Sequence, residues 1–125
     1  MKKYKILIIE DESSLQTSLK EFLSLEDFET VSAFNGEEGI ELAAKENPDL
    51  ILLDIILPKK NGFEVLEEIK KDKKTEKTPV ILLTNLESTE DVNKAFEMGV
   101  TTYLVKSSYT LEDIVKKIKE TLGVV

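Results

Sequence analysis

The feature that most constrains this chain is the stretch from Asp49 to Gly62, Asp-Leu-Ile-Leu-Leu-Asp-Ile-Ile-Leu-Pro-Lys-Lys-Asn-Gly. Leu50 to Leu53 is a short unbroken apolar run, the pattern of a strand buried on both faces of a parallel sheet. Asp54 follows it directly. That puts a carboxylate at the carboxyl end of a central strand, where open α/β sheets place their ligands. Pro58 and Asn61-Gly62 then end the run and turn the chain. Asp54 is too far upstream to cap the next helix, whose start is expected near Gly62 or Phe63.

The rest of the chain repeats this alternation. Lys5 to Ile9 reads as a first strand, with Glu10-Asp11-Glu12 at its carboxyl end. Ser13 or Ser14 is the expected cap of a helix whose apolar stripe is Leu15, Leu19, Phe22 and Leu23. Phe28 to Phe34 is the second strand, and Asn35-Gly36-Glu37-Glu38 starts the second helix. Asn47-Pro48 stops that helix, because the residue before proline is pushed out of the α region. After the third strand, Val65, Leu66 and Ile69 form the inward face of a helix. The charged run Lys70 to Lys77 reads as a solvated helix end and loop. Pro79 to Leu83 is the fourth strand. The fourth helix begins at Ser88-Thr89-Glu90-Asp91 and ends near Gly99. Thr102 to Val105 is the fifth strand. Thr110 to Asp113 resembles a capping box for a last amphipathic helix carrying Leu111, Ile114, Val115, Ile118 and Leu122. Five β-α units imply an α/β protein with a parallel sheet covered by helices on both faces.

Composition closes off several chemistries. The chain has 125 residues, enough for one domain with a real core. It has no Cys and no His, which excludes disulfides, thiolate and imidazole metal sites, and Ser-His catalysis. All its basic residues are Lys and the net charge is −8, which argues against direct DNA binding. The basic start, Met1 to Lys5, leads into a strand and not a signal-peptide core, and no apolar run is long enough to span a membrane. A cytoplasmic protein without a membrane association is the expectation.

Four strands end in a polar residue after apolar ones: Glu10-Asp11, Asp54, Thr84 and Lys106. In a parallel sheet these ends share one edge. Converging carboxylates repel one another unless a cation intervenes, and an all-oxygen donor set selects a hard ion such as Mg²⁺. Lys106 adds a compact positive charge and Thr84 a hydroxyl donor. Together they describe a site for phosphoryl transfer onto Asp54.

On these residues the chain resembles the receiver domain of two-component response regulators. The residues that carry the likeness are Glu10-Asp11, Asp54 with Pro58 and Gly62 in its loop, Thr84, Tyr103 and Lys106. The resemblance spans essentially the whole chain. It implies a flavodoxin-like doubly wound (βα)5 fold with strand order 2-1-3-4-5. It further implies a single receiver domain over residues 1–125 with no output domain, a signalling domain and not an enzyme. Asp54 is then the phosphoacceptor, with a sensor histidine kinase or histidine phosphotransfer protein as donor. Mg²⁺ is held by Asp11, Asp54 and the backbone carbonyl of Ile56, with Glu10 acting through a water. Lys106 pairs with Asp54 and then with the phosphoryl group. Thr84 bonds that group and Tyr103 turns inward with it, switching the surface of the fourth helix, fifth strand and fifth helix toward a downstream protein. A monomer and a phosphorylation-dependent dimer both remain open, as does a place in a phosphorelay.

Two positions depart from the family pattern. Ser107 stands where proline usually follows the lysine, which leaves a cis bond there open. Asn85 is bulkier than the usual residue after the threonine and narrows access to the acyl phosphate. Tyr103 reads equally as a partly buried strand aromatic. In the family, the residues two after the aspartate and two after the threonine flank the path of a hydrolytic water. Here they are Ile56 and Leu86, both apolar, so a long-lived phosphorylated form is expected. The competing readings are a phosphorylation-independent interaction module, a flavin- or nucleotide-binding module, and a haloacid-dehalogenase-like Mg²⁺ phosphatase. The flavin or nucleotide reading lacks a phosphate loop after the first strand, where Glu10-Asp11-Glu12 stands. The phosphatase lacks its second aspartate, position 56 being Ile.

Overall fold

The computed structural model describes residues 3–124; Met1 and Lys2, part of the basic start, lie outside the described residues. The strands are β1 (Lys5–Ile9), β2 (Glu29–Ala33), β3 (Leu50–Leu53), β4 (Val80–Thr84) and β5 (Thr102–Val105). The helices are α1 (Ser13–Leu25), α2 (Gly36–Glu46), α3 (Gly62–Lys71), α4 (Thr89–Glu97) and α5 (Leu111–Leu122), with a 3-10 turn at Lys106–Ser108. All pairings are parallel and the order is β2-β1-β3-β4-β5, as the resemblance implies.

Period-two alternation divides the core into two layers. Leu7, Ile9, Ile51, Leu53, Val80 and Leu82 face α2, α3 and α4, where Ala43, Val65, Leu66, Ile69 and Ala95 meet them. Ile6, Ile8, Leu50, Leu52, Ile81 and Leu83 face the other way, onto Leu19 and Leu23 of α1 and Ile114, Val115 and Ile118 of α5. β1, β3 and β4 are apolar throughout because both of their faces are covered.

Caps set the helix starts. Asn35, Asn61, Ser88 and Thr110 each accept the backbone N–H three residues on, and Asn61 and Thr110 do so within capping boxes. α1 differs from the sequence expectation. Its N-cap is Glu12, with no side-chain cap, and Ser13 and Ser14 lie inside the first turn. The Glu10 carboxylate has taken over that turn by accepting the Glu12 N–H at 3.0 Å. The charged run at 70–77 is also less solvated than it reads. Thr75 is buried and donates to the Ile69 carbonyl at 2.8 Å. The Lys70 ammonium folds back toward the carbonyls of Glu76 and Thr78. Its burial there holds its pKa below the ordinary value.

Two glycines allow the loop after β3 to close. A Cβ on Gly62 would lie 2.4 Å from the Asp54 carbonyl oxygen and 2.5 Å from Ile55 Cα. One on Gly36 would lie 2.0 Å from the Lys60 carbonyl oxygen. Both obstacles are backbone and cannot rotate away. Gly62→Ala should therefore cost about 2–3 kcal/mol in urea unfolding, an overpacking cost. A Cβ on Gly123 meets nothing within 4 Å among the described residues, and Gly123→Ala bears only a positive φ of 72°. It should cost about 1 kcal/mol. Equal losses for the two would show that close approach to Asp54 is not what requires Gly62.

Candidate functional site

The site follows from sheet register. Ile9 of β1 lies opposite Leu53 of β3, so the next residues, Glu10 and Asp54, emerge side by side. Both are buried, with 3% and 5% exposure, while Asp11 is exposed. Carboxylate oxygens of Glu10, Asp11 and Asp54 lie within 4.8 Å of one another.

Lys106 begins the 3-10 turn after β5. Its Nζ lies 2.7 Å from Glu10 Oε1 and 2.8 Å from Asp54 Oδ2. β5 and β3 are two strand spacings apart, roughly 10 Å. A long side chain is needed to cross that distance, and β4 ends between them in the short, fully buried Thr84. Burial acts on Lys106 by lowering its pKa, but its hydrogen bonds to Asp54 and Glu10 outweigh this and hold the ammonium above its ordinary value. Glu10 is raised, chiefly by burial and further by the charge of Asp54, against the pull of Lys106 and the Glu12 N–H.

The loop after Asp54 is tightly made. Asp54 Oδ1 accepts a long bond from the Ile56 N–H at 3.3 Å. The Gly62 N–H donates to the Ile55 carbonyl at 2.7 Å, and the Gly36 and Lys60 N–H groups donate to the Pro58 carbonyl at 3.2 and 2.9 Å. Lys59 takes a positive φ of 71° to complete the turn. Ile56 is 59% exposed at the mouth of the site. Leu86 is partly buried and packs on the α2–α4 layer, so the two apolar residues are not equivalent.

The turn after β4 is tied once to β5 and once to the 3-10 turn that follows it. Tyr103 donates its hydroxyl to the Leu86 carbonyl at 2.5 Å. Its pKa is raised by burial, and then by the negative charges of Asp91, Asp54 and Glu87. The Ser107 N–H donates to Asn85 Oδ1 at 3.2 Å. The two departures from the family pattern are thus partners, since a proline at 107 has no N–H to give. No peptide bond among the described residues is cis, which settles the question left open at Lys106-Ser107.

Sequence reasoning missed Gln16. It is 3% exposed, and its Nε2 lies 2.8–3.0 Å from the carbonyls of Ile8, Glu10 and Ala33. The available signal was phase: Gln16 falls on the inward face with Leu19 and Leu23.

Residues 6–119 match the family described as the response regulator receiver domain. The chain belongs to that family. It is 43% identical over 119 residues to the transcriptional regulatory protein CiaR of Streptococcus pneumoniae, covering 94% of this chain and 51% of that protein. It is 37% identical over 115 residues to CrdR of Helicobacter pylori, covering 92% of this chain and 53% of that one. The chain thus spans about half the length of these two relatives. A CheY-like receiver domain protein from Methanospirillum hungatei superimposes with a TM-score of 0.91 at 30% identity, over 98% of this chain and 95% of that one. The Mn²⁺-bound form of the response regulator Rcp1 does so with 0.85 at 34% identity, over 98% and 96%.

Receiver domains bind Mg²⁺ at an acidic pocket, and the donor set here fits that ion. Three carboxylates against one ammonium leave two negative charges, and every ligand atom is a hard oxygen. Among the described residues no helix is long and apolar enough to cross a membrane.

Without metal, the buried Glu10 charge should weaken the fold. A group raised in the folded state contributes stability below its ordinary value of 4.5 and loses it as pH rises through the folded value. Glu10→Gln should therefore raise the urea midpoint at pH 7 in EDTA, with the gain shrinking as pH falls through the raised folded value and gone below the ordinary value of 4.5. A lower midpoint at pH 7 would mean that the bond to Lys106 outweighs burial.

Proposed function

We propose that this receiver domain accepts a phosphoryl group on Asp54 from a phosphohistidine of a sensor kinase or phosphotransfer protein. The observation that carries this reading is the Lys106 ammonium set between two buried carboxylates, Glu10 and Asp54. In the transfer, an Asp54 oxygen bonds to phosphorus as the bond from phosphorus to the donor's imidazole nitrogen breaks. The imidazole keeps that electron pair and takes a proton from solvent. Asp11, Asp54 and the Ile56 carbonyl would hold Mg²⁺, which when bound would supply positive charge against the charge of the phosphoryl group. Glu10 acts through a water, consistent with both of its oxygens already being engaged, by Lys106 and by the Glu12 N–H. Lys106 follows the charge from carboxylate to phosphoryl group, and Thr84 supplies a hydroxyl donor.

The output is a change of surface. The Leu86 N–H donates to Thr84 Oγ1 at 3.5 Å and the Leu86 carbonyl accepts from the Tyr103 hydroxyl, so the backbone of Leu86 links Thr84 to β5. A shift of Thr84 toward a phosphoryl group alters the seat of Tyr103 and biases the α4-β5-α5 face toward a downstream protein. The chain acts in the cytoplasm, by protein contact and without touching DNA itself, as a monomer or a phosphorylation-dependent dimer. Retention of every site residue favours this reading over a phosphorylation-independent module.

Acetyl phosphate with Mg²⁺ should add one phosphate by intact mass to the wild type and none to Asp54→Ala. In the wild type alone, amide resonances from 92 to 107 should shift. Phosphate on Asp54→Ala would refute the acceptor, and shifts confined to the loop after β3 would refute the switch.

The phosphorylated form should be long-lived. Ile56 sits exposed at the mouth and offers no hydrogen bond to an attacking water. Ile56→Asn should speed decay about tenfold once the donor is removed, the scale of a positioning effect. Leu86→Glu is a weaker test because Leu86 also packs on the core. Unchanged decay in Ile56→Asn would show that backbone geometry alone sets the rate.

A further inference from the structure

Gln16 lies behind the acidic turn, outside the residues assigned above. Its side chain is buried, and its Nε2 sits 2.9 Å from the Ile8 carbonyl, 3.0 Å from that of Glu10 and 2.8 Å from that of Ala33. An amide nitrogen carries two hydrogens, so three carbonyls share them. Its Oε1 is buried and has no hydrogen-bond partner among the described residues. The side chain thus leaves its acceptor unsatisfied while its donors serve β1, β2 and the acidic turn together.

The backbone of the same residue holds the other end of that turn. The Gln16 N–H donates to the Glu12 carbonyl at 3.0 Å. Glu10 and Glu12 are therefore both fixed to Gln16, one through its side chain and one through its main chain, and Asp11 lies between them. The Glu10 N–H meanwhile donates to the Ala33 carbonyl, which Gln16 also binds, so the end of β1 is held against β2 at the point where the carboxylates begin.

We infer that Gln16 is a positioning residue for the cation site: its amide fixes the backbone from Glu10 to Glu12 and so sets where the Glu10 and Asp11 carboxylates stand relative to Asp54. This rests on the metal site proposed above. It acts through other residues and does not contact the ion. Groups that orient metal ligands from behind typically change affinity by 10–100-fold when removed.

Gln16→Met tests this, since Met has similar length and suits an apolar setting but has no N–H to donate. Circular dichroism and urea unfolding establish that the variant is folded. Mn²⁺ affinity, read by electron paramagnetic resonance, should then fall about tenfold. Gln16 is the one glutamine in the chain, so selective ¹⁵N-glutamine labelling of the wild type gives a single side-chain amide pair. That pair should be protected from solvent exchange and should shift when Mg²⁺ is added, a readout that stands even where the variant fails to fold. Wild-type Mn²⁺ affinity in folded Gln16→Met, or an amide pair that exchanges freely and ignores Mg²⁺, would overturn the positioning role and leave the metal site intact. Absence of Mn²⁺ binding by the wild type would overturn the metal site and the positioning role together.

Discussion

The structure depends on one ammonium. Lys106 lies between Glu10 and Asp54, two carboxylates almost shielded from solvent, and offsets part of the cost of placing them there. It does not cancel that cost, because Asp11 adds a third negative charge at the same edge. Breaking a buried pair by removing one partner is strongly destabilising, since the other charge stays behind. The sheet edge is thus held in a condition that a dication or an incoming anion with its counter-ion can improve. Whatever binds there stabilises the fold by its own binding free energy. Function and marginal local stability have the same physical origin.

That arrangement tolerates little movement of the backbone beneath it. Glu10 and Asp54 meet only because β1 and β3 are paired one residue earlier, and a slip of one residue in either strand would turn that strand's carboxylate to the opposite face. The loop after Asp54 is pinned from two directions, by Gly62 closing on Ile55 and by the approach of Gly36 to Lys60. On the far side, the Ser107 N–H and the Tyr103 hydroxyl both reach the turn after β4. Asn85 and Ser107 each look like an isolated oddity in the sequence. In the fold they are one hydrogen bond, which joins the turn carrying Thr84 to the turn carrying Lys106.

What was legible in the sequence follows from this. Apolar runs such as Leu50–Leu53 announce buried strands, and a polar residue directly after each run marks the shared edge, so Glu10, Asp11, Asp54, Thr84 and Lys106 could be grouped without coordinates. The order of the strands could not be read from the residues and came through family resemblance. Gln16 escaped because hydropathy patterns register apolar residues, and a buried amide looks like a surface one until the carbonyls around it are located. Thr75 escaped for the same reason, one neutral hydroxyl inside a run of lysines. The cap of α1 was misplaced because serine is a better cap than glutamate in isolation. The Glu10 carboxylate, set by tertiary structure, had already bound the N–H that organises that turn.

The helices are not held equally, and this bears on where a signal can travel. α3 buries Gly62, Val65, Leu66 and Ile69, and α1 buries Gln16, Leu19 and Leu23, whereas α4 buries Ala95 alone. Phe96 of α4 is half exposed. The Lys94 ammonium stands 4.3 Å from the Phe63 ring, a contact from α4 to α3 at an exposed position where such contacts are weak. Segments with few buried apolar contacts open or shift at the lowest free energy. A displacement that begins at Thr84 therefore meets stiff packing toward β3 and α3 and soft packing toward α4. The proposed switch needs no special conduit: the turn after β4 connects the edge that carries Asp54 to the least anchored helix of the fold, and Tyr103 sits on that connection.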